Sequence, residues 1–161
     1  MSPEPNEVVV AVSGGFDPVH IGHIRMFKEA RALGNKLLVI LNDDEWLMRK
    51  KGYVFMPLSE RKELLENFSC VDEVVVREPR DTYDVSHMLE ILPIHIFANG
   101  GNDRRNEGEI PEATVCTARG IKMIFGVGGA DKPQSSSWLT ENVAKRFTGS
   151  DKLPHPPKSV E

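Results

Sequence analysis

The sequence predicts an α/β fold, a single doubly wound sheet of five parallel strands with helices on both faces. Two observations predict it. Short β-branched runs alternate with stretches of helical periodicity along the chain, the pattern that winds successive strands into a parallel sheet. In addition, each polar or glycine-rich segment follows a strand, so these segments gather at one edge of the sheet, where ligands bind in such folds.

The elements follow in order. The first strand is read at residues 8–13, from Val8, Val9, Val10 and Val12. A glycine turn leads into a helix over 22–33, with Ile24, Phe27, Ala30 and Leu33 along one side. A strand at 36–41 is followed by a short helix at 44–48 and a longer one at 59–67. The alternation then runs through a strand at 73–76, a helix at 84–92, a strand at 94–98, a helix at 111–119, a strand at 121–126 and a helix at 136–147. Gly34 and Gly120 stand at helix ends that favour glycine, and Pro111 suits a first helical turn. The folded domain is expected over 8–148, after a frayed lead-in at 1–7 and before a flexible tail at 149–161 with little to bury.

Composition excludes several classes. A formal net charge of −4 over 161 residues argues against general binding to nucleic acid or to a membrane surface. Any anion must therefore be held locally. Cys70 and Cys116 form no Cys-x-x-Cys, and there is no signal-like apolar segment. Reduced thiols in a cytoplasmic protein are the expectation. No run reaches membrane-spanning length.

The most informative segment is Gly14-Gly15-Phe16-Asp17-Pro18-Val19-His20-Ile21-Gly22-His23. Read as strand, glycine turn and helix start, it leaves backbone N–H groups at a positive helix end, and Gly14 and Gly15 allow an anion close approach. His20 and His23, three residues apart, fall on one face of the first turn, where both can donate to one phosphoryl group. An isolated His-x-Gly-His would more often cap a helix. The preceding Gly-Gly-Phe-Asp-Pro, with a strand before and a helix after, favours the phosphate reading.

These residues resemble the nucleotidyltransferase superfamily, the cytidylyltransferase-like enzymes with a GxFDPxHxGH signature and a Rossmann-like fold. The resemblance runs from Val8 to about Phe147 and is closest to cytidylyl transfer to glycerol phosphate and adenylyl transfer to heptose phosphate. It implies attack of an acceptor phosphate on the α phosphorus of a nucleoside triphosphate with release of pyrophosphate, Mg²⁺ accompanying the triphosphate. The nucleotide would then be held by Gly14, Gly15, Phe16 and Asp17, and His20 and His23 would stabilise the transition state. Gln134-Ser135-Ser136-Ser137-Trp138-Leu139 is similar to the second signature, so Ser135, Ser136, Ser137 and the nearby Lys132 would hold the leaving pyrophosphate. The family commonly has Arg or Lys where Thr140 stands, and Lys132, Arg104 or Arg105 must supply that charge instead.

Two more segments join the reading by resemblance. Arg49-Lys50-Lys51-Gly52 is similar to a basic loop of related transferases, placing Lys50 or Lys51 on the α phosphate or the acceptor phosphate, with Arg61 holding the acceptor. Asn99-Gly100-Gly101-Asn102-Asp103-Arg104 resembles the loop that holds base and ribose, with Gly100 at the base edge and Asp103 on the ribose or a water-held metal. Gly126-Val127-Gly128-Gly129 lacks dinucleotide-fingerprint spacing. Trp46, Trp138, His87 and His95 are read as structural, and no protein metal site is expected.

The expected activity is transfer of a nucleoside monophosphate, CMP by preference, to a sugar or polyol phosphate. Adenylyl transfer to a heptose or cofactor phosphate is the alternative. A catalytically silent nucleotide sensor is the rival from another class, and only Thr140 points to it. An NAD-dependent oxidoreductase lacks its fingerprint here, and an aminoacyl-tRNA synthetase would need a longer, less acidic chain. Partners would be a nucleoside triphosphate and a phosphorylated small molecule, with no nucleic acid and no membrane. The resemblance also allows a homodimer, for which the sequence marks no interface.

Overall fold

Val9, Val10, Ala11 and Val12 point alternately to opposite sides of the first strand, and that alternation divides the core into two layers. The computed structural model describes residues 5–100, 110–129 and 133–148. Its elements are β1 (Val9–Gly14), α1 (Ile21–Ala32), β2 (Lys36–Leu41), α2 (Asp44–Lys51), α3 (Leu58–Glu66), β3 (Glu73–Val76), α4 (Ser86–Ile91), β4 (Ile96–Gly100), α5 (Ala113–Arg119), β5 (Lys122–Val127) and α6 (Ser136–Thr148). Val9 and Ala11 pack with Leu38, Ile40 and Phe97 beneath Met88 and Leu89 of α4 and Cys116 of α5. Val10 and Val12 pack with Leu37, Val39 and Leu41 beneath Phe27 and Ala30 of α1 and Leu65 of α3. Each fully buried aliphatic side chain in these layers contributes about 1.5–3 kcal/mol. Burial on both faces is why the strands read as near-continuous apolar runs.

The strands form one parallel sheet in the order β3-β2-β1-β4-β5. Val9 pairs with Lys36 and Gly14 with Leu41 on one side of β1, while Val10 pairs with Ile96 on the other. The chain thus winds outward through β2 and β3, then returns to build β4 and β5. The reversal falls between β1 and β4, and the crevice it opens lies beyond their carboxyl ends. Beside it the β4–β5 register shifts between Ala98 and Gly100, with an extra residue on β5. Gly126, at φ 75°, accommodates that bulge and turns the following residues toward the crevice.

The predicted fold class and all five strands are present, with helix boundaries differing where local chemistry decides. The basic segment Arg49, Lys50 and Lys51 is not a loop: it is the last turn of α2, closed by Gly52 at φ 85°. Cations at a helix C-terminus meet the negative end of its dipole. The helix read at 84–92 begins two residues later, because the Asp84 carboxylate accepts from Ser86 N (3.0 Å) and caps the turn. Pro111 and Glu112 form a turn before α5 instead of its first helical residues. Gly120 has the left-handed conformation, φ 68°, whereas Gly34 does not. Gly34 is needed for closeness, since a Cβ there would lie 2.5 Å from Val8 O. Among the described residues no helix is long and apolar enough to cross a membrane.

Candidate functional site

His20 is the N-cap of α1, and its imidazole Nδ1 accepts from Gly22 N (3.1 Å). One turn on, His23 Nδ1 accepts from His20 N (3.2 Å), closing a reciprocal cap built from two imidazoles. Acceptance at Nδ1 places the proton of each neutral ring on Nε2. The rings stack with centroids 3.8 Å apart and planes at 26°. Gly22 makes this possible, because a Cβ at that position would stand 2.9 Å from His20 Cε1.

Phe16 holds the second ring from the side. It meets His23 edge-on at 4.9 Å and Phe27 at 5.1 Å, and is itself buried. Its φ of 49° lies in the left-handed region, a costly backbone for an aromatic residue that the surrounding packing enforces. Gly14 and Gly15 serve the same packing. Added Cβ atoms would come within 2.9 Å of Phe16 Cζ and 2.7 Å of Leu47 Cδ2. Gly14 also lines the second of the two cavities described below.

Asp17 is 1% exposed, and its carboxylate is fully engaged: Oδ2 accepts from Phe55 N and Oδ1 from Met56 N, both at 2.7 Å. It ties the loop after β1 to the segment before α3, and its own carbonyl accepts from Lys51 Nζ (3.4 Å). Arg61 works beneath the same loop. Its guanidinium donates to Met56 O (2.9 Å), Gly15 O (2.8 Å), Asn42 O (2.7 Å) and Asp44 Oδ1 (2.7 Å), with the side chain wholly buried. The expectation that Arg61 holds an acceptor phosphate gives way to a positioning role, since its fork is directed into the protein. Phe16 and Asp17 likewise shape the site from below.

Above this scaffold the crevice holds two adjoining cavities. The first, about 310 Å³, is lined by His20, Gly22, His23 and Lys51 on one side and by Gln134, Ser135, Ser136 and Ser137 on the other. Val127, Gly128 and Gly129 close its end. Two imidazoles and one ammonium therefore face the start of α6, a concentration of donors in a protein of net negative charge. The serines divide their work. Ser136 donates its hydroxyl to Pro18 O (2.7 Å), locking α6 to the loop after β1, while Ser135 N donates to Gln134 Oε1 (3.0 Å). Thr140 Oγ1 lies 3.1 Å from both Ser136 O and Ser137 O and 2.9 Å from Tyr53 Oη, so it staples α6 to the segment after α2.

The second cavity, about 300 Å³, is lined by Ser13, Asn42, Trp46, Lys50, Tyr83, Asp84 and Glu112, among others. Met26 and Gly100 line both cavities, so the two are parts of one cleft. Lys50 and Lys51, adjacent in sequence, diverge: Lys51 borders the histidines, whereas Lys50 Nζ lies 4.6 Å from the centre of the Trp46 ring. Trp46 in turn donates from Nε1 to Tyr83 O (3.0 Å).

Arg77 supports this second cavity as Arg61 supports the first. Buried behind it, Arg77 donates from Nε to Asp84 O (3.2 Å) and from its terminal nitrogen to Thr82 O. Burial lowers the Arg77 pKa, with Asp43 and Asp84 opposing the shift. For Asp84, burial works to raise the pKa, but hydrogen bonds from Ser86, Thr82 and its own backbone outweigh it and hold the carboxyl below its ordinary value. Arg77, Met26 and Tyr83 carry no motif in the sequence that marks them for the cleft. The one signal for Arg77 is an arginine directly after the apolar run of β3.

Asp103 and Lys132, together with Gly101, Arg104 and Arg105, lie outside the described residues. His95 Nδ1 accepts from Val9 N (3.0 Å), and His87 Nε2 pairs with Glu78 O (2.9 Å), both away from the cleft. Among the described residues no three His, Cys, Asp or Glu side chains gather to hold a metal ion.

Comparison with known proteins gives a consistent picture. A family model described as cytidylyltransferase-like matches residues 11–125. Ethanolamine-phosphate cytidylyltransferase of Dictyostelium discoideum is 37% identical over 101 residues, 62% of this chain and 28% of that protein. The bifunctional protein HldE of Pelobacter propionicus is 31% identical over 144 residues, 87% of this chain and 28% of its own length. FAD synthase of Thermococcus onnurineus is 36% identical over 102 residues, 63% of this chain and 67% of the relative. The chain thus spans little more than a quarter of the first two relatives. In fold, it is similar to the crystal structure of a lipopolysaccharide core biosynthesis protein from Thermoplasma volcanium, with a TM-score of 0.58 at 23% identity, covering 74% of this chain and 94% of that one.

Proposed function

The chain belongs to the cytidylyltransferase-like family, and from that premise we propose that it is a nucleotidyltransferase. It transfers a nucleoside monophosphate, CMP by preference, from a nucleoside triphosphate to the phosphate of a small sugar or polyol, with release of pyrophosphate. The observation that carries this reading is the stacked His20–His23 pair facing Ser135, Ser136 and Ser137 across a cavity that also holds Lys51.

The chemistry follows from the donors. An oxygen of the acceptor phosphate attacks the α phosphorus, forming a new P–O bond as the bond to the pyrophosphate oxygen breaks. Such transfers need positioning and charge stabilisation more than a protein nucleophile. His20 and His23, each protonated at Nε2, donate to the α phosphate oxygens, whose charge rises in the transition state. Lys51 adds a full positive charge on the same side. The N-terminus of α6 with Ser135 and Ser137 receives the departing pyrophosphate, and Ser136 fixes that helix against Pro18. The triphosphate is taken as its Mg²⁺ complex, the ion neutralising phosphate charge. Asp103 and Lys132 complete the ribose and pyrophosphate contacts in this proposal.

The cytidylyl preference draws on the ethanolamine-phosphate cytidylyltransferase relative, and the alternative adenylyl transfer on the relatives named HldE and FAD synthase. The test is a grid of four nucleoside triphosphates against sugar, polyol, amino-alcohol and flavin phosphates, scored for pyrophosphate. CTP with a hydroxylated acceptor is the cell expected to respond. Binding of triphosphate with no release in any cell would make the protein a nucleotide sensor instead.

A further inference from the structure

Three cationic side chains end α2, and two of them border the cleft. Lys51 lines the histidine cavity and Lys50 the second cavity, while Arg49 lines neither. Arg49 turns instead to residues 80–84, which stand in no strand or helix. All five carbonyls of that segment accept from side chains. Arg80 O (2.9 Å) and Asp81 O accept from the two terminal nitrogens of Arg49, Thr82 O and Asp84 O from Arg77, and Tyr83 O from the Trp46 indole. Two of these three donors, Arg49 and Trp46, belong to α2.

The grip is returned. The Arg49 guanidinium lies 4.8 Å from the centre of the Tyr83 ring, and Tyr83 Oη donates to Arg49 O (3.3 Å). Gly52 N closes the helix on Met48 O (3.0 Å), so Arg49 O is the carbonyl just beyond that closure, and a tyrosine from another segment meets it. The Trp46 and Tyr83 rings stand edge-on at 6.4 Å and 76°, with Lys50 over the first and Arg49 over the second. Each of these adjacent cations thus has its own ring.

A helix of eight residues is marginal by itself. Asp43 caps its start by accepting from Trp46 N (2.8 Å). Its last turn gathers three like charges, and the contacts of Arg49 with residues 80–84 hold that turn to the protein. Lys51 leaves from the same turn, and its tip reaches Asp17 O (3.4 Å) at the edge of the histidine cavity. On the transfer reading, on which this inference rests, Lys51 there meets phosphate charge beside His20 and His23. We propose that Arg49 and Tyr83 are positioning residues for that reaction: clasped to each other, they fix the last turn of α2 and with it the place of Lys51. Tyr83 and Asp84 also line the second cavity, so the clasp joins the wall of one cavity to the lysine of the other.

The test uses the full chain with the triphosphate and acceptor that the activity grid selects, and reads kcat together with amide hydrogen exchange at Gly52, whose N–H closes α2. Arg49→Met should speed that exchange about 10-fold and lower kcat about 10-fold, while the urea midpoint stays close to the parent's because Arg49 is exposed. In the Lys51→Met background the same substitution should change kcat less than about twofold, since a residue that acts through Lys51 then has nothing to place. Arg49→Lys keeps the charge but cannot span two carbonyls, so its kcat should stay within about threefold of Arg49→Met. Tyr83→Phe keeps the ring and loses the bond to Arg49 O, and should lower kcat about threefold, again only where Lys51 is present. The proposal is overturned if exchange at Gly52 is unchanged in Arg49→Met, if Arg49→Lys restores full activity, or if Arg49→Met costs as much kcat without Lys51 as with it. Turnover in no cell of the grid defeats the transfer reading, and this one with it. Turnover that Arg49→Met leaves at the parent's rate defeats this one alone.

Discussion

Replacing Arg61 by Met keeps most of the side chain's length and removes only the guanidinium, so it asks whether this residue is scaffold or ligand. Four hydrogen bonds are lost, to Met56 O, Gly15 O, Asn42 O and Asp44 Oδ1. The bonds to Gly15 O and Asn42 O are buried, and each carbonyl left without a donor costs about 1–3 kcal/mol. Asp44 is 44% exposed, so water replaces its partner and its share is about 0–1 kcal/mol. Before the part-buried Met56 O is counted, these come to about 2–7 kcal/mol, a range that brackets the ~3–5 kcal/mol usual for stripping one partner from a buried ionic group. Arg61→Lys should recover less than half of that, because one ammonium cannot reach four acceptors spread around a planar fork. Urea unfolding measures the loss as a lower midpoint at unchanged slope. The reasoning fails if Arg61→Met unfolds within about 1 kcal/mol of the parent while acceptor KM rises tenfold or more. In that case the guanidinium would be gripping substrate.

Three further outcomes follow from the same geometry. His23→Ala should lower kcat by about 10²–10³, the loss of about 2.7–4 kcal/mol typical of one preorganised donor, and an effect confined to KM would contradict its place on the transition state. Gly22→Ala puts a Cβ 2.9 Å from His20 Cε1 in a helix that otherwise welcomes alanine; the protein should melt normally yet lose about 10²-fold in kcat through misplacement of the ring, and unchanged kcat would show that the ring has room to move. Asp84 has a native pKa below its unfolded value of 3.8, so it contributes stability that is complete well above that pH and disappears as pH falls through the native pKa. Thermal melts should therefore show the gap between parent and Asp84→Asn constant above about pH 5 and closing below it, and a gap that widened in acid would reverse the assigned sign.

The fold was legible because burial on both sheet faces writes itself as apolar runs. Residues 36–41 and 73–76 could be bounded correctly since Lys36 and Glu73 mark the point where the apolar pattern starts. Helix ends were harder, because they depend on which side chain caps the backbone. Gly52 after Arg49, Lys50 and Lys51 has the sequence form of a C-terminal stop, although the three adjacent cations resemble a basic loop of related transferases. In the structure the helix carries them, and the 100° step between neighbours lets Lys50 border the Trp46 cavity and Lys51 the histidine cavity, while both border a further cavity beside Tyr53 and Thr140. A loop reading had no means of separating them.

At the site, sequence showed charge but not burial, and burial decides what a charge does. Arg61, Asp17 and Arg77 all carry groups that suit phosphate or metal chemistry, and all three turn inward to hold backbone. The reason is the form of the loops. The turn after β1 and the segment at 82–84 expose carbonyl and N–H groups that no strand or helix satisfies, and such groups need partners where they are buried. An arginine fork beneath each loop solves this: it satisfies several carbonyls at once from a position closed to solvent and leaves the upper face of the loop to ligands. The division predicts where tolerance lies. Substitutions at His20, His23 or Lys51 should alter rates in a protein that still folds, whereas substitutions at Asp17, Arg61 or Arg77 should lose the fold of the loops and activity together. Stability and kcat measured across those six positions separate the two layers, and a buried arginine variant that is stable but inactive would show that the scaffold reaches into the chemistry.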